Sequence, residues 1–243
     1  MKVLILAARS QGVEGGDGDY PLCLTEFDGA PLIERLIACC SPLEPSDFIF
    51  ALREQDVQRH HLDNIVMLLT EKARVLRIRG QTAGATCTAL LAAGSINTDE
   101  DLLILGSNEL LDVNFKEVIT SFRHQRADCG VITFPSIHPR YSYIRIDEKG
   151  FVVEAAEKNP ISRRAVASFH WFAHGKDFVR AAQNSIRKDA HINGVFFISP
   201  VLNELVLEQK KIIAHPIDIR QYHPLKTERQ VDQFGALFEG KSV

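Results

Sequence analysis

The sequence predicts an α/β fold, a mixed but mainly parallel sheet flanked by helices. Short apolar runs alternate with helical patterns through the first half, the rhythm of strands joined by crossover helices. Val3 to Ala8, Phe48 to Leu52 and Leu102 to Leu105 are continuous apolar runs, as strands covered on both faces require. After the first run comes a loop carrying Gly12, Gly15, Gly16 and Gly18, then an amphipathic helix near Pro31. That layout can bring backbone N–H groups against a nucleotide phosphate.

Each later element has its own signal. Pro31 suits a first helical turn, and Leu32, Ile33, Leu36, Ile37 and Cys40 share one helical face. Arg74, Arg77 and Arg79 fall in a strand-like alternation, read as an exposed sheet face or as a phosphate patch. Gly84 to Ala93 is rich in alanine and leucine and reads as a helix; Phe115, Val118, Ile119 and Phe122 mark another. After about Gly130 the pattern turns partly antiparallel. Gly130 to Phe134, Tyr143 to Ile146, Phe151 to Ala155 and Ala167 to Ala173 read as strands, with Asp147 to Gly150 as a turn. Phe178, Val179, Ala182 and Ile186 give a helix face, and Thr227-Glu228-Arg229-Gln230 fits a capping box that starts a C-terminal helix. No repeat or compositional break divides residues 1–243, so the chain reads as a single domain.

Composition narrows the function classes. The formal net charge is −3, which gives no general attraction to nucleic acid or anionic membrane. No apolar run reaches the roughly 18 residues of a bilayer span, and the opening run reads as a strand rather than a signal peptide. The cysteines (Cys23, Cys39, Cys40, Cys87, Cys129) are odd in number, mostly in apolar contexts, and lack metal-ligand spacing. Reduced thiols in a cytoplasmic protein are the expectation. His60-His61 and the pair His170 and His174 lack the company of a metal site.

Five segments in order, MKVLILAA with YPLCLTEFDGAPLIERLI, GQTAGATCTALLAA, LLILGSNELLD, VEAAEKNP and NGVFFISPVLNELV, resemble the sugar-phosphate nucleotidyltransferases, the pyrophosphorylase-like enzymes that make NDP-sugars. The resemblance implies a Rossmann-like, glycosyltransferase-A-like fold with active segments at the strand ends. It divides the chain into a nucleotide-binding half, 1–129, and a sugar-phosphate half with the C-terminal helix, 130–243. It places Ala7, Ala8, Gly12, Thr82, Gly84, Ala85 and Ser107 on the nucleotide, and gives Arg9, Asn108 and Lys158 catalytic roles. Tyr143, Glu157, Lys158, Asn193 and Gly194 would face the substrate, and Asn108 and Asp112 would hold Mg²⁺. The implied partners are a nucleoside triphosphate or nucleotide sugar and a small phosphorylated substrate, with neither nucleic acid nor membrane; a homo-oligomer is allowed. The implied setting is surface-polysaccharide precursor synthesis.

Residue by residue, plainer readings stand beside these. Thr82 to Thr86 also reads as a helix start with small packing residues. Glu157-Lys158 reads as an exposed charge pair at a hairpin end, Asn193-Gly194 as a turn, and Asp112 as a loop acid. Arg140, Tyr141 and Tyr143 form either a loop over a substrate or an aromatic strand entry.

The departures from the family pattern are ordered too. Arg9, Gln11 and Val13/Glu14 stand in the glycine-loop places, although Gly12 serves if the register moves by one. Leu22 replaces the lysine of Pro-Lys-x-Leu, Asn108 the metal aspartate, Val195 the glutamate of Asn-Gly-Glu, and Lys226 to Gln230 the Gly-Thr-Pro-Glu-Asp segment. In the family's reaction a substrate phosphate attacks the α-phosphorus of a nucleoside triphosphate, and catalysis is positioning and charge neutralisation. Losing one such charged donor costs about 10²- to 10³-fold in rate. The expectation is therefore a nucleotidyltransferase with weakened or lost catalysis. Its alternatives are an active enzyme using rearranged residues, a non-catalytic module for a nucleotide, nucleotide sugar or protein partner, and a nucleotide-sugar-dependent glycosyltransferase. The last would want an Asp-x-Asp motif, and Ser107-Asn108-Glu109 is a poor version of it.

Overall fold

Alternation along the first strand sets the architecture. In β1 (Lys2–Ala7), Val3 and Ile5 enter one hydrophobic cluster and Leu4 enters another, as a period of two dictates when both faces are covered. The computed structural model describes residues 1–8 and 20–239. A short hairpin, β2 (Glu26–Phe27) and β3 (Ala30–Pro31), precedes α1 (Leu32–Cys40), whose buried face is the apolar set read from the sequence. Then come β4 (Asp47–Arg53), α2 (Glu54–His60), α3 (Leu62–Leu69), β5 (Ala73–Ile78), α4 (Ala85–Leu90), α5 (Ala93–Ile96) and β6 (Leu102–Gly106). The second half runs β7 (Glu109–Leu111), α6 (Phe115–His124), β8 (Cys129–Pro135), β9 (Ser142–Ile146), β10 (Val152–Glu157) and β11 (Arg164–Phe172). It ends with α7 (Gly175–Arg187), α8 (Leu202–Leu207), β12 (Ile212–Pro216), β13 (Tyr222–Pro224) and α9 (Glu228–Glu239).

β5, β4, β1 and β6 pair in parallel, so Ile78, Arg53, Ala7 and Gly106 end at the same side of the sheet. β11 runs antiparallel to β6 and to β8, and β12 pairs in parallel with β8. Helices α1, α3 and α6 cover one face, through residues such as Ile33, Val66 and Ile119; α4, α5, α7 and α8 cover the other, through Ala89, Ile96, Phe178 and Leu202. Among the described residues, no helix is long and apolar enough to cross a membrane.

One irregularity interrupts this pairing. Along β11, Val166 pairs with Thr133 and His170 with Val131, so four residues of β11 advance against two of β8. On either side of this bulge β11 has different partners: β9 through Ala165 and Val166, and β6 through Phe169 to Phe172. Since β8 accompanies both stretches, β9 and β6 succeed one another on the other edge, and the sheet splits there. Bulges of this kind bend strands and re-aim side chains near sites.

The structure extends and corrects several expectations. The helix expected over Gly84 to Ala93 is two helices, α4 and α5. The strand expected from Ala167 begins at Arg164. The arginines in and just after β5 are ion-paired: Arg74 with Asp47, Arg77 with Asp63 and Glu54, and Arg79 with Glu54. The capping box forms, with Gln230 N–H donating to Thr227 Oγ1 at 3.3 Å and Thr227 N–H to Gln230 Oε1 at 3.2 Å. The glycine loop, with Arg9 and Gly12, lies outside the described residues.

His170 carries the clearest pH consequence. It is buried in β11, with Nε2 and Ser199 Oγ 3.1 Å apart, and burial lowers its pKa from 6.5 to about 3. The folded state therefore disfavours the imidazolium, which the unfolded chain accepts below about pH 6.5. Stability from this group is intact above that pH and falls as pH drops towards 3, by up to about 1.4 kcal/mol per pH unit. Urea denaturation across that window should show the parent losing stability faster than His170→Gln; parallel pH curves would contradict the assignment.

Candidate functional site

β6 ends at Gly106 because the chain must pass close to the bulge. A Cβ at Gly106 would lie 2.9 Å from the Ser168 Cβ, tighter than packed atoms accept. Ser107, buried, and Asn108, half-buried, follow. Glu109 then turns inward and is 4% exposed. The Ser168 N–H of the bulge donates to Glu109 Oε1, and Tyr222 Oη donates to Glu109 Oε2 at 3.0 Å. Burial first, and then the Glu109 charge, push the Tyr222 phenol pKa far up, so it remains a donor. Tyr222 stacks on Phe134, ring centroids 3.7 Å apart, and meets Tyr141 edge-on.

β10 brings a second carboxylate to the same split. Val166 pairs with Ser142, and Ser142 pairs with Glu157. Ser142 Oγ donates to Glu157 Oε2. Burial raises the Glu157 pKa, while the Ser142 hydrogen bond and the Lys158 and Lys226 charges oppose the rise. Lys158, with φ of 56°, leaves the strand and sets its Nζ 5.2 Å over the Phe197 ring. Lys226 comes from the segment before α9. Its Nζ lies 3.7 Å from Glu109 Oε2 and 5.2 Å from the Tyr141 ring centroid, and Leu225 N–H donates to the Asn108 carbonyl at 2.9 Å.

The Thr82 to Thr86 segment is fixed by backbone pairing. Phe196 N–H donates to the Ala83 carbonyl at 2.7 Å, and Thr86 N–H to the Phe196 carbonyl at 3.1 Å. Gly84 has φ of +116°, and a Cβ there would be 2.4 Å from the Phe196 carbonyl oxygen. Glycine is the residue that this approach and this dihedral allow. Thr82 Oγ1 and Thr88 Oγ1 are 2.6 Å apart, and each also reaches the Gly84 carbonyl at 3.2 Å. Ala85 begins α4. Thr86 is fully buried, and its hydroxyl has no partner among the described residues.

Phe196 and Phe197 therefore join two groups of residues: Phe196 holds Ala83 and Thr86, and Phe197 lies beneath Lys158. Asn193 and Gly194, with φ of 52° and 78°, form the two-residue turn that delivers them; Ile192 and Val195 exchange backbone hydrogen bonds of 3.0 and 3.1 Å across it. This is a turn of the kind that positive φ at both central positions defines. Ala7 and Ala8 stand at the end of β1.

Two expected residues stand elsewhere. Tyr143 is fully buried and its hydroxyl donates to the His138 carbonyl at 2.7 Å, so it serves the core rather than facing a substrate. Tyr141, half-buried, is the aromatic at the split. Asp112 lies beyond the far end of β7 from Asn108, about 13 Å along an extended chain. It is close enough to Cys39 for its charge to help raise that thiol's pKa, after burial. Lys226 and Glu109 are the site residues that the family pattern did not assign. Their signals were a lysine and a glutamate within segments whose family residues had changed.

This donor set does not suit a divalent metal. Among the described residues, no cluster of histidine, cysteine, aspartate or glutamate could hold one. Asn108 is neutral, Glu109 already accepts from Ser168 and Tyr222 beside an ammonium group, and Asp112 is remote. The described residues do not fit Mg²⁺, which prefers carboxylate oxygens with open positions. Leu22, where the family carries a lysine, packs against the core.

The sequence model of the nucleotidyl transferase family matches residues 24–182. No curated protein sequence matches the chain. A nucleoside-diphosphate-sugar pyrophosphorylase from Vibrio cholerae is similar in structure, with a TM-score of 0.82 at 19% identity, over 97% of this chain and 100% of that one. A UDP-glucose pyrophosphorylase complexed with UDP-glucose superposes with a TM-score of 0.79 at 14% identity, over 99% and 98% of the two chains. At these identities the likeness establishes the fold: a mainly parallel sheet flanked by helices.

Gly84→Ala tests how tightly the Phe196 contact is built. It should destabilise the protein by at least about 2 kcal/mol, from the dihedral and the backbone overlap together. A denaturant midpoint unchanged from the parent would show that the segment yields.

Proposed function

Because the chain belongs to the nucleotidyl transferase family, we propose that it binds a nucleotide or nucleotide sugar together with a small phosphorylated sugar, and that nucleotidyl transfer there is weak or lost. The nucleotide would sit against Ala7, Ala8, Gly12, Thr82, Gly84, Ala85 and Ser107, in the half 1–129. The sugar phosphate would sit in the half 130–243, with Glu157 accepting from sugar hydroxyls and Lys158 facing the phosphate. Asn193 and Gly194 act through the turn that carries Phe196 and Phe197. Arg9, outside the described residues, is the cation nearest in sequence to the glycine loop, and with Asn108 and Lys158 it makes up the remaining catalytic set.

One observation carries this reading. Phe196 and Phe197, adjacent in sequence, bind the Gly84 segment on one side and support the Lys158 ammonium on the other. A nucleotide side and a phosphate side are thereby held at fixed separation, which is what joint binding needs. The case for weak catalysis rests on charge. Leu22 offers no cation, Asn108 no anion, and Glu109 is engaged in the fold.

The family typically depends on a divalent metal, and Mg²⁺ is the ion the resemblance implied. The described residues do not fit it. A reducing, cytoplasmic setting completes the proposal. It is supported by five unpaired cysteines, of which Cys23, its pKa raised to about 12 chiefly by burial, is held as the thiol.

Calorimetric and thermal-shift titration with CTP, UTP, dTTP, ATP, GTP and glucose 1-phosphate tests the proposal. At a hundredfold its dissociation constant, a ligand specific for the native state raises stability by about 2.7 kcal/mol. Binding of one nucleotide, with sugar-phosphate binding weakened roughly tenfold or more in Lys158→Ala, is the expected result. Silence across the whole panel would favour the alternative, a module that binds a protein partner.

A further inference from the structure

Lys226 presents a charged group whose hydrogen-bonding capacity is unmet. Its side chain is 23% exposed, and its Nζ makes no hydrogen bond to a described residue; Glu109 Oε2, at 3.7 Å, is an ion-pair partner beyond hydrogen-bond length. That carboxylate is already served by the Ser168 N–H and the Tyr222 hydroxyl. The Tyr141 ring supports the ammonium from another side at 5.2 Å. Three N–H donors therefore stay available beside a fixed aromatic and carboxylate frame.

Lys158 is in a similar position, exposed over Phe197. The Lys158 backbone N–H donates to the Tyr141 carbonyl at 3.0 Å, Lys226 Nζ lies 5.2 Å over the Tyr141 ring, and the neighbouring Ser142 donates to Glu157, so all three groups gather around one short segment at the split. Two ammonium groups flanking Tyr141 suit a phosphate monoester dianion, which accepts from both. They also disfavour a further cation beside them, because like charges repel.

We infer that Lys226 supplies, as a side chain, a second positive charge beside Lys158 that faces the ligand phosphate at this site, so that the phosphorylated ligand is held without a divalent metal. The inference rests on the proposed sugar-phosphate site and adds a residue and a metal requirement to it. Glu109 has a positioning role here: its carboxylate pairs with Lys226, while its own hydrogen bonds come from the fold.

The test is calorimetry of the full chain with glucose 1-phosphate and, separately, inorganic phosphate, each in EDTA and in MgCl₂. The parent should bind equally well in both buffers. Lys226→Met should lose roughly tenfold or more in affinity in EDTA, and Lys226→Arg should keep most of it. Lys226→Met leaves Glu109 without its cation, so Lys226→Met with Glu109→Gln provides a second variant that folds without that burden. Should both prove unfolded, the parent's behaviour in EDTA decides. Binding that requires Mg²⁺, or a folded Lys226→Met that binds like the parent, overturns the inference while leaving the site reading intact. No binding of either ligand in either buffer overturns both.

Discussion

A buried carboxylate at the split of the sheet organises this molecule. The β11 bulge directs the Ser168 N–H to Glu109, and Tyr222 adds a second hydrogen bond from the segment before α9. One side chain thus ties β11, β7 and β13 together, and the small two-stranded sheet of β7 and β13 to the large one. A carboxylate in that setting persists only if its partners are complete, so the geometry around it is closely determined. Gly106, Asn108, Tyr141, Ser142, Glu157 and Lys226 are placed by the same junction.

On the proposed reading, a family scaffold is retained while its chemistry changes. The catalytic contributions expected of the family are charges placed around phosphates. Here the lysine position is a packed leucine, Leu22, and the carboxylate beside Asn108 is committed to backbone and tyrosine donors. The remaining charges, Glu157, Lys158 and Lys226, suit holding a phosphorylated sugar more than neutralising a leaving pyrophosphate. Binding and transfer make separable demands on a site, and the proposal is that these residues meet the first better than the second.

Much of the fold was legible because its signals are local. The alternation in β1, the continuous runs of β4 and β6, the helical face of α1 and the capping box at Thr227 each declare themselves over a few residues. What was hidden depends on distant pairing. Nothing in Ala167 to Ala173 reveals that β11 changes partners, since a bulge is defined by the register of β8, β9 and β6. Tyr143 and Tyr141 look alike in sequence, two residues apart. A period of two would put both on one face, yet Tyr141 precedes the strand, and burial separates them. Glu109 and Lys226 are more than a hundred residues apart, and no spacing rule joins them. Gly84 was read as a nucleotide contact or a helix start; its approach to the Phe196 backbone gives it a packing role that only the folded chain reveals.

The phosphate-site charges for transfer are gone, on this reading, while those for binding remain. Mg²⁺-dependent pyrophosphate release from a nucleoside triphosphate and glucose 1-phosphate tests it directly, with the parent compared to Leu22→Lys combined with Asn108→Asp. Release near background is expected for the parent, with a measurable gain for the restored variant. Rapid Mg²⁺-dependent release by the parent would contradict it.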